Sequence, residues 1–135
     1  MTIITADDEP LALEMLTDLV KTVKPDAEVF SFSRPQKIVE WIKTNKADVA
    51  FLDIRMRGMT GLELAEAIKA KAPETNIIFV TGYDEYALPA MSLHASGYVM
   101  KPVSEEKIRK ELEHLRFPVK DNSNVLLTAK CFGNF

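Results

Sequence analysis

Reactive side chains directly follow several short apolar runs of this sequence. Asp7 and Asp8 follow the run TIITA, Asp53 follows DVAFL, Thr81 closes NIIFVT, and Lys101 follows GYVM. Three carboxylates in one place repel each other, and one of them holds a proton unless a cation is bound. A hard divalent ion, Mg2+ (or Mn2+), suits a site with few carboxylates that also holds phosphoryl oxygens. A carboxylate nucleophile, a metal, an ammonium and a hydroxyl are together the parts needed to move a phosphoryl group onto a carboxylate.

Considered singly, these residues have a plainer interpretation. A strand commonly ends on a polar residue where it reaches solvent, and this alone would account for Asp53. Thr81 is β-branched, so it is also an ordinary strand residue. The interpretation as a reactive site therefore depends on a fold that brings these strand ends together.

Short apolar runs alternate with longer amphipathic runs, which is typical of strands alternating with helices. Strands are predicted over residues 2–6, 28–32, 48–52, 76–81 and 97–100. Helices are predicted over residues 10–23, about 35–44, around 64–72, near 88–93 and from the N-cap Ser104 to about 115. The second helix is expected to bury Ile38, Trp41 and Ile42.

Five strand–helix units, with strands that are apolar on both faces, predict a parallel sheet covered by helices on each side. Right-handed crossovers and a reversal of strand order leave a crevice at the carboxyl ends of such strands. The carboxylates, the threonine and the lysine all lie at those ends, so the predicted fold gathers them in one crevice.

Length and composition limit the other possibilities. The chain has 135 residues, enough for one domain with one core. A net charge of −3 gives no sign of nucleic-acid binding by the segment as a whole. Cys131 is the only cysteine, which excludes an internal disulfide and favours a reducing compartment. No apolar run is long enough to span a bilayer and the amino terminus is unlike a signal peptide, so we expect a cytoplasmic protein without membrane contact.

The segments ADDEP, FLDIRM, GLEL, VTGYDEYAL and GYVMKPV occur in this order across residues 1–116. In these segments the sequence resembles the receiver domain of two-component response regulators. The resemblance implies a flavodoxin-like (βα)5 three-layer sandwich, an α/β fold whose parallel five-stranded sheet has the order 2-1-3-4-5.

The resemblance also implies a role for each residue of the crevice. Asp53 would be the phosphoacceptor, taking the phosphoryl group from a phosphohistidine of a sensor histidine kinase. Asp8 and Asp53 would bind Mg2+ directly, and Asp7 would act through water. The backbone carbonyl of Arg55 would complete the metal site, and Lys101 would bind a phosphoryl oxygen.

Thr81 and Tyr98 would form the switch that responds to the phosphoryl group. Thr81 would hydrogen-bond a phosphoryl oxygen, and Tyr98 lies at the family's aromatic switch position, three residues before Lys101. Tyr98 also suits an ordinary residue of the core. The resemblance further implies a cis peptide bond between Lys101 and Pro102.

The function that the resemblance implies is a phosphorylation-controlled switch, not an enzyme beyond self-phosphorylation and slow self-dephosphorylation. A homodimer through the fourth helix, fifth strand and fifth helix is expected. The alternative is a phosphorylation-independent protein-interaction module with a receiver fold, but such a module has no need of the complete set of site residues. A phosphohydrolase on a similar sheet usually needs a second carboxylate just after the nucleophile, where this chain has Arg55.

Three positions depart from the family pattern. Arg57 stands where the family commonly has proline, and Thr60 stands where it commonly has aspartate. Pro89 falls within the fourth helix, where it would cost a backbone hydrogen bond. The fourth helix is therefore expected to start late, with Pro89 in its first turn.

The end of the chain differs in character from the rest. Residues 117–124 (FPVKDNSN) are predicted to form a linker after a receiver domain of residues 1–116, because they contain a proline and polar turn formers. Residues 125–135 are expected to be the truncated start of a C-terminal effector domain, or a tail. The segment LLTAKCFGNF is similar to the opening strand of a winged-helix transcriptional-activator module of bacterial regulators. On this hypothesis the output is transcription, and DNA is bound only through a C-terminal domain absent from this chain.

Overall fold

The computed structural model describes residues 1–119, except for the side chains of Tyr86 and Leu88. The strands are β1 (Thr2–Ala6), β2 (Glu28–Phe32), β3 (Val49–Leu52), β4 (Asn76–Thr81) and β5 (Gly97–Met100). All are parallel and lie in the order β2-β1-β3-β4-β5, which confirms the predicted flavodoxin-like α/β fold. The predicted tail of residues 125–135 and most of the predicted linker lie outside the described residues.

Five helices connect and cover these strands. They are α1 (Pro10–Val23), α2 (Pro35–Trp41), α3 (Gly61–Lys71), α4 (Ala87–Ser92) and α5 (Glu105–Glu113). One turn of 3₁₀ helix, Asp84–Tyr86, precedes α4, and Pro89 is the third residue of α4, so the late start of this helix is confirmed. No helix among residues 1–119 is both long enough and apolar enough to cross a membrane.

The predicted end of α2 was wrong by three residues. The helix ends at Trp41, and the chain then tightens into turns in which Lys43 and Thr44 each donate to the carbonyl three residues earlier. Such turns are common at helix ends and do not continue the α-helical pattern. Ile38 and Ile42 are in the core, as predicted, and Trp41 is half-buried against the same cluster.

The core is divided by the sheet into two clusters of buried side chains. Successive residues of a strand point to opposite faces, so Phe51 packs with α1 and α5 while Leu52 packs with α2 and α3. Ile78 and Phe79 divide in the same way on β4. β1, β3 and β4 are therefore covered on both faces, as the sequence predicted.

The edge strand β2 does not follow this pattern. None of its five residues is fully buried, although Val29 and Phe32 still pack against the two core clusters on opposite faces of the sheet. It has only one neighbouring strand, and Phe30 on it is 39% exposed. The rings of Phe30 and Phe32 contact Trp41, with centroids 5.5 Å and 6.0 Å away, so these aromatic side chains shield the edge in part.

Candidate functional site

The strand register places three aspartates together at one edge of the sheet. Ala6 of β1 pairs with Leu52 of β3, so Asp7 and Asp53 follow two neighbouring strand ends. The backbone N–H of Asp53 donates to the carbonyl of Ala6 over 2.9 Å, which keeps the two chains together beyond the strands. Carboxylate oxygens of Asp7, Asp8 and Asp53 all lie within 4.8 Å of one another.

Lys101 reaches the same group of carboxylates from β5. Its Nζ lies 2.9 Å from Oδ2 of Asp7 and 3.6 Å from Oδ2 of Asp53. Its backbone N–H donates to the carbonyl of Thr81 over 2.8 Å, continuing the pairing of β4 with β5. The predicted cis peptide bond between Lys101 and Pro102 is present.

Burial gives the Asp53 carboxylate an unusual proton affinity. The residue is 7% exposed, and its pKa is raised from 3.8 to about 6, chiefly by this desolvation. The negative charge of Asp7 contributes to this rise in pKa, and the Lys101 ammonium opposes it. Asp53 is therefore ionised at neutral pH but takes up a proton under mildly acidic conditions.

Lys101 remains protonated in this setting. Burial by itself lowers its pKa, but the hydrogen bond to Asp7 and the charges of Asp53 and Asp7 outweigh that effect. The net result is a pKa above the ordinary value for lysine. A positive charge therefore faces the carboxylate of Asp53.

The donor set fits a divalent cation. Three carboxylates converge here, and Lys101 supplies one positive charge beside two of them. Asp7 is 1% exposed and Asp53 is 7% exposed, so water screens the remaining negative charge poorly. Oxygen ligands with uncompensated charge are what Mg2+ and Mn2+ bind.

The loop from β1 to α1 holds Asp7 by its backbone. The N–H of Glu9 donates to Oδ1 of Asp7 over 2.9 Å. Glu9 also caps α1, because its side chain accepts from the N–H of Ala12 over 2.8 Å. With Lys101 on its other oxygen, Asp7 has both carboxylate oxygens engaged.

Arg57 contacts Asp8, a role that the sequence did not reveal. Its backbone N–H donates to Oδ2 of Asp8 over 2.9 Å, and its Nε lies 3.5 Å from the same oxygen. The guanidinium side chain is 92% exposed, so the backbone bond is the firmer of the two. A proline at this position, as is common in receivers, could not donate this bond.

The amino end of α3 closes against the backbone of Asp53. Thr60 caps the helix in a reciprocal capping box with Glu63, and the T-x-x-E pattern before an apolar run is a sequence signal for it. The next residue, Gly61, donates its N–H to the carbonyl of Ile54 over 2.8 Å. A Cβ atom on Gly61 would lie 2.2 Å from the carbonyl oxygen of Asp53, so only glycine allows this approach.

Thr81 and Tyr98 both contact Tyr83, which lies in the loop after β4. The hydroxyl oxygen of Thr81 accepts from the N–H of Tyr83 over 3.3 Å, and the Tyr98 hydroxyl donates to the Tyr83 carbonyl. The Arg55 guanidinium lies 3.9 Å from the centre of the Tyr83 ring. Tyr83 thus links three of the residues that the sequence singled out.

The predicted site residues fall into two groups. Asp7, Asp8, Asp53 and Lys101 lie in direct contact or within a few ångströms of one another. Thr81 is fully buried at the end of the adjoining strand, and Tyr98 is half-buried and is connected to it through Tyr83. Arg55 is exposed, two residues beyond Asp53, and joins the second group through its contact with Tyr83.

Known proteins are similar to this chain in sequence. A model of the response regulator receiver domain matches residues 3–113. Over 124 residues the chain is 32% identical to the transcriptional regulatory protein LytR of Staphylococcus aureus, an alignment that covers 91% of this chain and 50% of that protein. The chain spans about half the length of the curated relatives that it matches.

Solved structures agree in fold. The response regulatory domain of protein mrkE from Klebsiella pneumoniae is 34% identical, with a TM-score of 0.78 over 85% of this chain and 94% of that one. Response regulator protein TrrA from Thermotoga maritima, in complex with Mg(2+)-BeF, is 27% identical, with a TM-score of 0.72 over 83% of this chain and 96% of that one. The chain belongs to the response regulator receiver family and is a receiver domain of a two-component regulator.

Proposed function

We propose that Asp53 accepts a phosphoryl group from a sensor histidine kinase, with Mg2+ or Mn2+ bound, and that the product switches an output. The observation that carries this proposal is the cluster of Asp7, Asp8 and Asp53, with Lys101 beside two of the three carboxylates. A fold needs no such cluster, since carboxylates in contact repel each other and oppose folding. A phosphoryl-transfer site needs every member of it.

The transfer itself requires an ionised Asp53. At neutral pH its carboxylate is charged, because its pKa is about 6. An oxygen of Asp53 forms a bond to phosphorus while the bond from phosphorus to the kinase imidazole nitrogen breaks, and the imidazole leaves with that electron pair. Lys101 stabilises the oxygens of the arriving group, since its ammonium is already 3.6 Å from the acceptor oxygen.

Asp8, Asp53 and the backbone carbonyl of Arg55 would hold the metal ion, with Asp7 acting through water. When bound, the ion supplies positive charge to the phosphoryl oxygens during transfer. The TrrA protein was solved with Mg(2+)-BeF, and its similarity to this chain supports the same ion here. Arg57 holds one oxygen of Asp8, which leaves Oδ1 of that carboxylate for a metal ion.

The switch would begin at Thr81. Its hydroxyl oxygen accepts from the N–H of Tyr83, so its own hydrogen remains to be donated to a phosphoryl oxygen. If Thr81 moves toward the phosphoryl group, Tyr83 moves with it. The hydroxyl of Tyr98 is bound to the carbonyl of Tyr83, so that movement also reaches β5.

The output would be transcription, controlled in the cytoplasm by a C-terminal effector domain that follows the linker of residues 117–124. Two observations support this: LytR is named as a transcriptional regulatory protein, and the chain spans about half of such relatives. A homodimer would use the face of α4, β5 and α5. Met91 and Met100 lie on α4 and β5 and are 71% and 37% exposed, so that face offers apolar contact area.

Labelling with a small phosphodonor tests the proposal. Incubation with acetyl phosphate and Mg2+ should add one phosphoryl group by intact mass, and chelation of the metal should prevent the addition. Asp53→Asn should abolish labelling, whereas Asp26→Asn, a matched change in the exposed loop after α1, should leave it unchanged. If the parent chain takes up no phosphoryl group, the phosphorylation-independent interaction module becomes the better description. Full labelling of Asp53→Asn would show that the acceptor is another residue.

A further inference from the structure

The chain leaves α5 at the end of the sheet opposite to the carboxylates. After α5 it passes the amino ends of β4 and β5, where Asn76 is the first residue of β4 and Ser96 directly precedes β5. The carboxyl ends of the same two strands carry Thr81 and Lys101. Two strands therefore join the candidate site to the place where the chain departs.

The fully buried side chain of Asn76 binds the departing chain through its backbone. Its Nδ2 donates to the carbonyl of Phe117 over 2.8 Å, and its Oδ1 accepts from the N–H of Phe117 over 2.7 Å. Nδ2 also donates to the carbonyl of Asp48 over 3.1 Å, and Oδ1 accepts from the Ser96 hydroxyl over 2.6 Å. Ser96 in turn accepts from the N–H of Arg116 over 3.1 Å.

These contacts use the whole hydrogen-bonding capacity of one side chain. An asparagine amide has two donor hydrogens and two acceptor lone pairs, and all four are engaged at Asn76. Buried polar groups left without partners are costly, so this arrangement holds the departing chain strongly. It also pairs with both backbone groups of Phe117, as a neighbouring strand would.

We propose that Asn76 and Ser96, with the backbone of Arg116 and Phe117, form an exit clasp that fixes the path of the chain out of the domain. We further propose that the clasp loosens when the site at the other end of β4 and β5 is phosphorylated. This second part rests on the proposed function. The device would connect the phosphoryl group to whatever follows residue 117.

Loosening is the expected direction because the clasp is already complete. All four hydrogen bonds of the Asn76 amide are made, with distances from 2.6 Å to 3.1 Å. A shift of β4 relative to β5, caused by drawing Thr81 toward a phosphoryl group, would lengthen the bond from Ser96 to Asn76 and separate the groups that hold Arg116 and Phe117. The clasp spans both strands, since Asn76 belongs to β4 and Ser96 donates to it from the start of β5.

Amide exchange of the full chain, followed by NMR, tests whether the clasp exists. Asn76→Ala should speed exchange at the Phe117 amide by about tenfold or more, since local opening sets the exchange rate. Ser96→Ala should speed exchange at Arg116. Asn45→Ala removes an exposed amide that bonds only within its own turn, and it should leave both rates unchanged. Unchanged exchange at Phe117 in a folded Asn76→Ala protein would overturn the clasp.

Two further variants cover the case in which Asn76→Ala fails to fold. Phe117→Pro removes the N–H that Asn76 accepts, whereas Phe117→Ala keeps both backbone bonds. Faster exchange at Arg116 in Phe117→Pro but not in Phe117→Ala supports recognition of the backbone. Equal effects of the two changes would overturn it and assign the contact to the phenyl ring.

Beryllofluoride with Mg2+, used as the phosphoryl mimic, tests the loosening. Exchange at the Phe117 amide should become faster in the parent chain and stay unchanged in Asp53→Asn. If acetyl phosphate labels the chain but beryllofluoride leaves Phe117 exchange unchanged, the loosening is wrong and the proposed function stands. Absence of labelling would overturn the proposed function and the loosening together, while exchange in the ligand-free chain still decides the clasp.

Discussion

Lys101 is not shared equally between its two carboxylate partners. Its ammonium is 2.9 Å from Asp7 and 3.6 Å from Asp53, so Asp7 is the better neutralised of the two. This asymmetry agrees with the raised pKa of Asp53, whose burial is compensated only in part. Of the two aspartates that contact Lys101, Asp53, the residue proposed to react, thus has the less compensated negative charge.

Without bound metal, the free energy of unfolding should depend on pH through Asp53. Between pH 3.8 and about 6 the folded chain holds the Asp53 proton more tightly than the unfolded chain. The free energy of unfolding therefore falls as pH rises through this window, and the loss is complete above it. Asp53→Asn carries no charge, so with chelator present it should be more stable than the parent at pH 7.5 by about 1–2 kcal/mol. Thermal melts should show this advantage disappearing near pH 4. Equal melting temperatures at pH 7.5 would contradict the raised pKa.

A second prediction concerns Arg57 and metal affinity. Both of its donors engage Oδ2 of Asp8 and place positive character beside a proposed metal ligand. Arg57→Ala removes only the exposed guanidinium, so it should tighten Mg2+ binding about twofold, whereas Arg57→Pro removes both donors and should tighten it about fivefold. Calorimetric titration at constant ionic strength measures this. Arg109→Ala, which removes an arginine paired with Glu105 on α5, controls for net charge. Weaker binding in Arg57→Pro would mean that the backbone bond positions Asp8 for the metal.

Among the helices, α4 depends most on contacts with the rest of the domain for its stability. It has six residues, preceded by a single 3₁₀ turn, and a helix this short is not stable by itself in water. Its position therefore depends on its contacts, of which the buried Ala90 provides one. The late start of this helix was predicted from Pro89 alone. The early end of α2 was not predictable in the same way, because it depends on turns formed after Trp41.

The capping box of α3 supports a prediction at this scale. Thr60→Ala removes the bond to the N–H of Glu63 and should lower stability by about 1 kcal/mol. Thr22→Ala is a matched control, since that exposed hydroxyl donates to the carbonyl of Asp18 within α1. Thermal or urea unfolding compares the two variants. A loss in Thr22→Ala as large as that in Thr60→Ala would argue against a special role for the cap.

Across the whole molecule, replacing phenylalanine by alanine should lower stability more in the two core clusters than at the exposed β2 edge. Phe79 on β4 is fully buried, whereas Phe30 on β2 is 39% exposed. Phe79→Ala should therefore destabilise the chain by about 3–5 kcal/mol, and Phe30→Ala should cost much less. Urea unfolding of both variants checks the ranking. Similar losses would mean that the β2 edge is packed more tightly than its exposure indicates.

The parts of the molecule that sequence could predict are those governed by local pattern. Apolar runs and helical spacing predicted the strands, the resemblance to receiver domains implied the sheet order, and strand ends predicted the meeting of Asp7, Asp53 and Lys101. Contacts that depend on loop shape were not predicted, among them the bond from Arg57 to Asp8. The capping box at Thr60 had a signal in the T-x-x-E pattern.

The backbone pairing at Phe117 has a consequence for protein engineering. Asn76 contacts the N–H and the carbonyl of residue 117 and needs nothing from its side chain, so most residues other than proline could take that place. Foreign sequences could therefore be fused directly after position 117 with these backbone bonds retained. Any segment fused there would leave the domain in the same direction, whatever its sequence. This position is therefore suited to joining the domain to different output domains in engineered sensors.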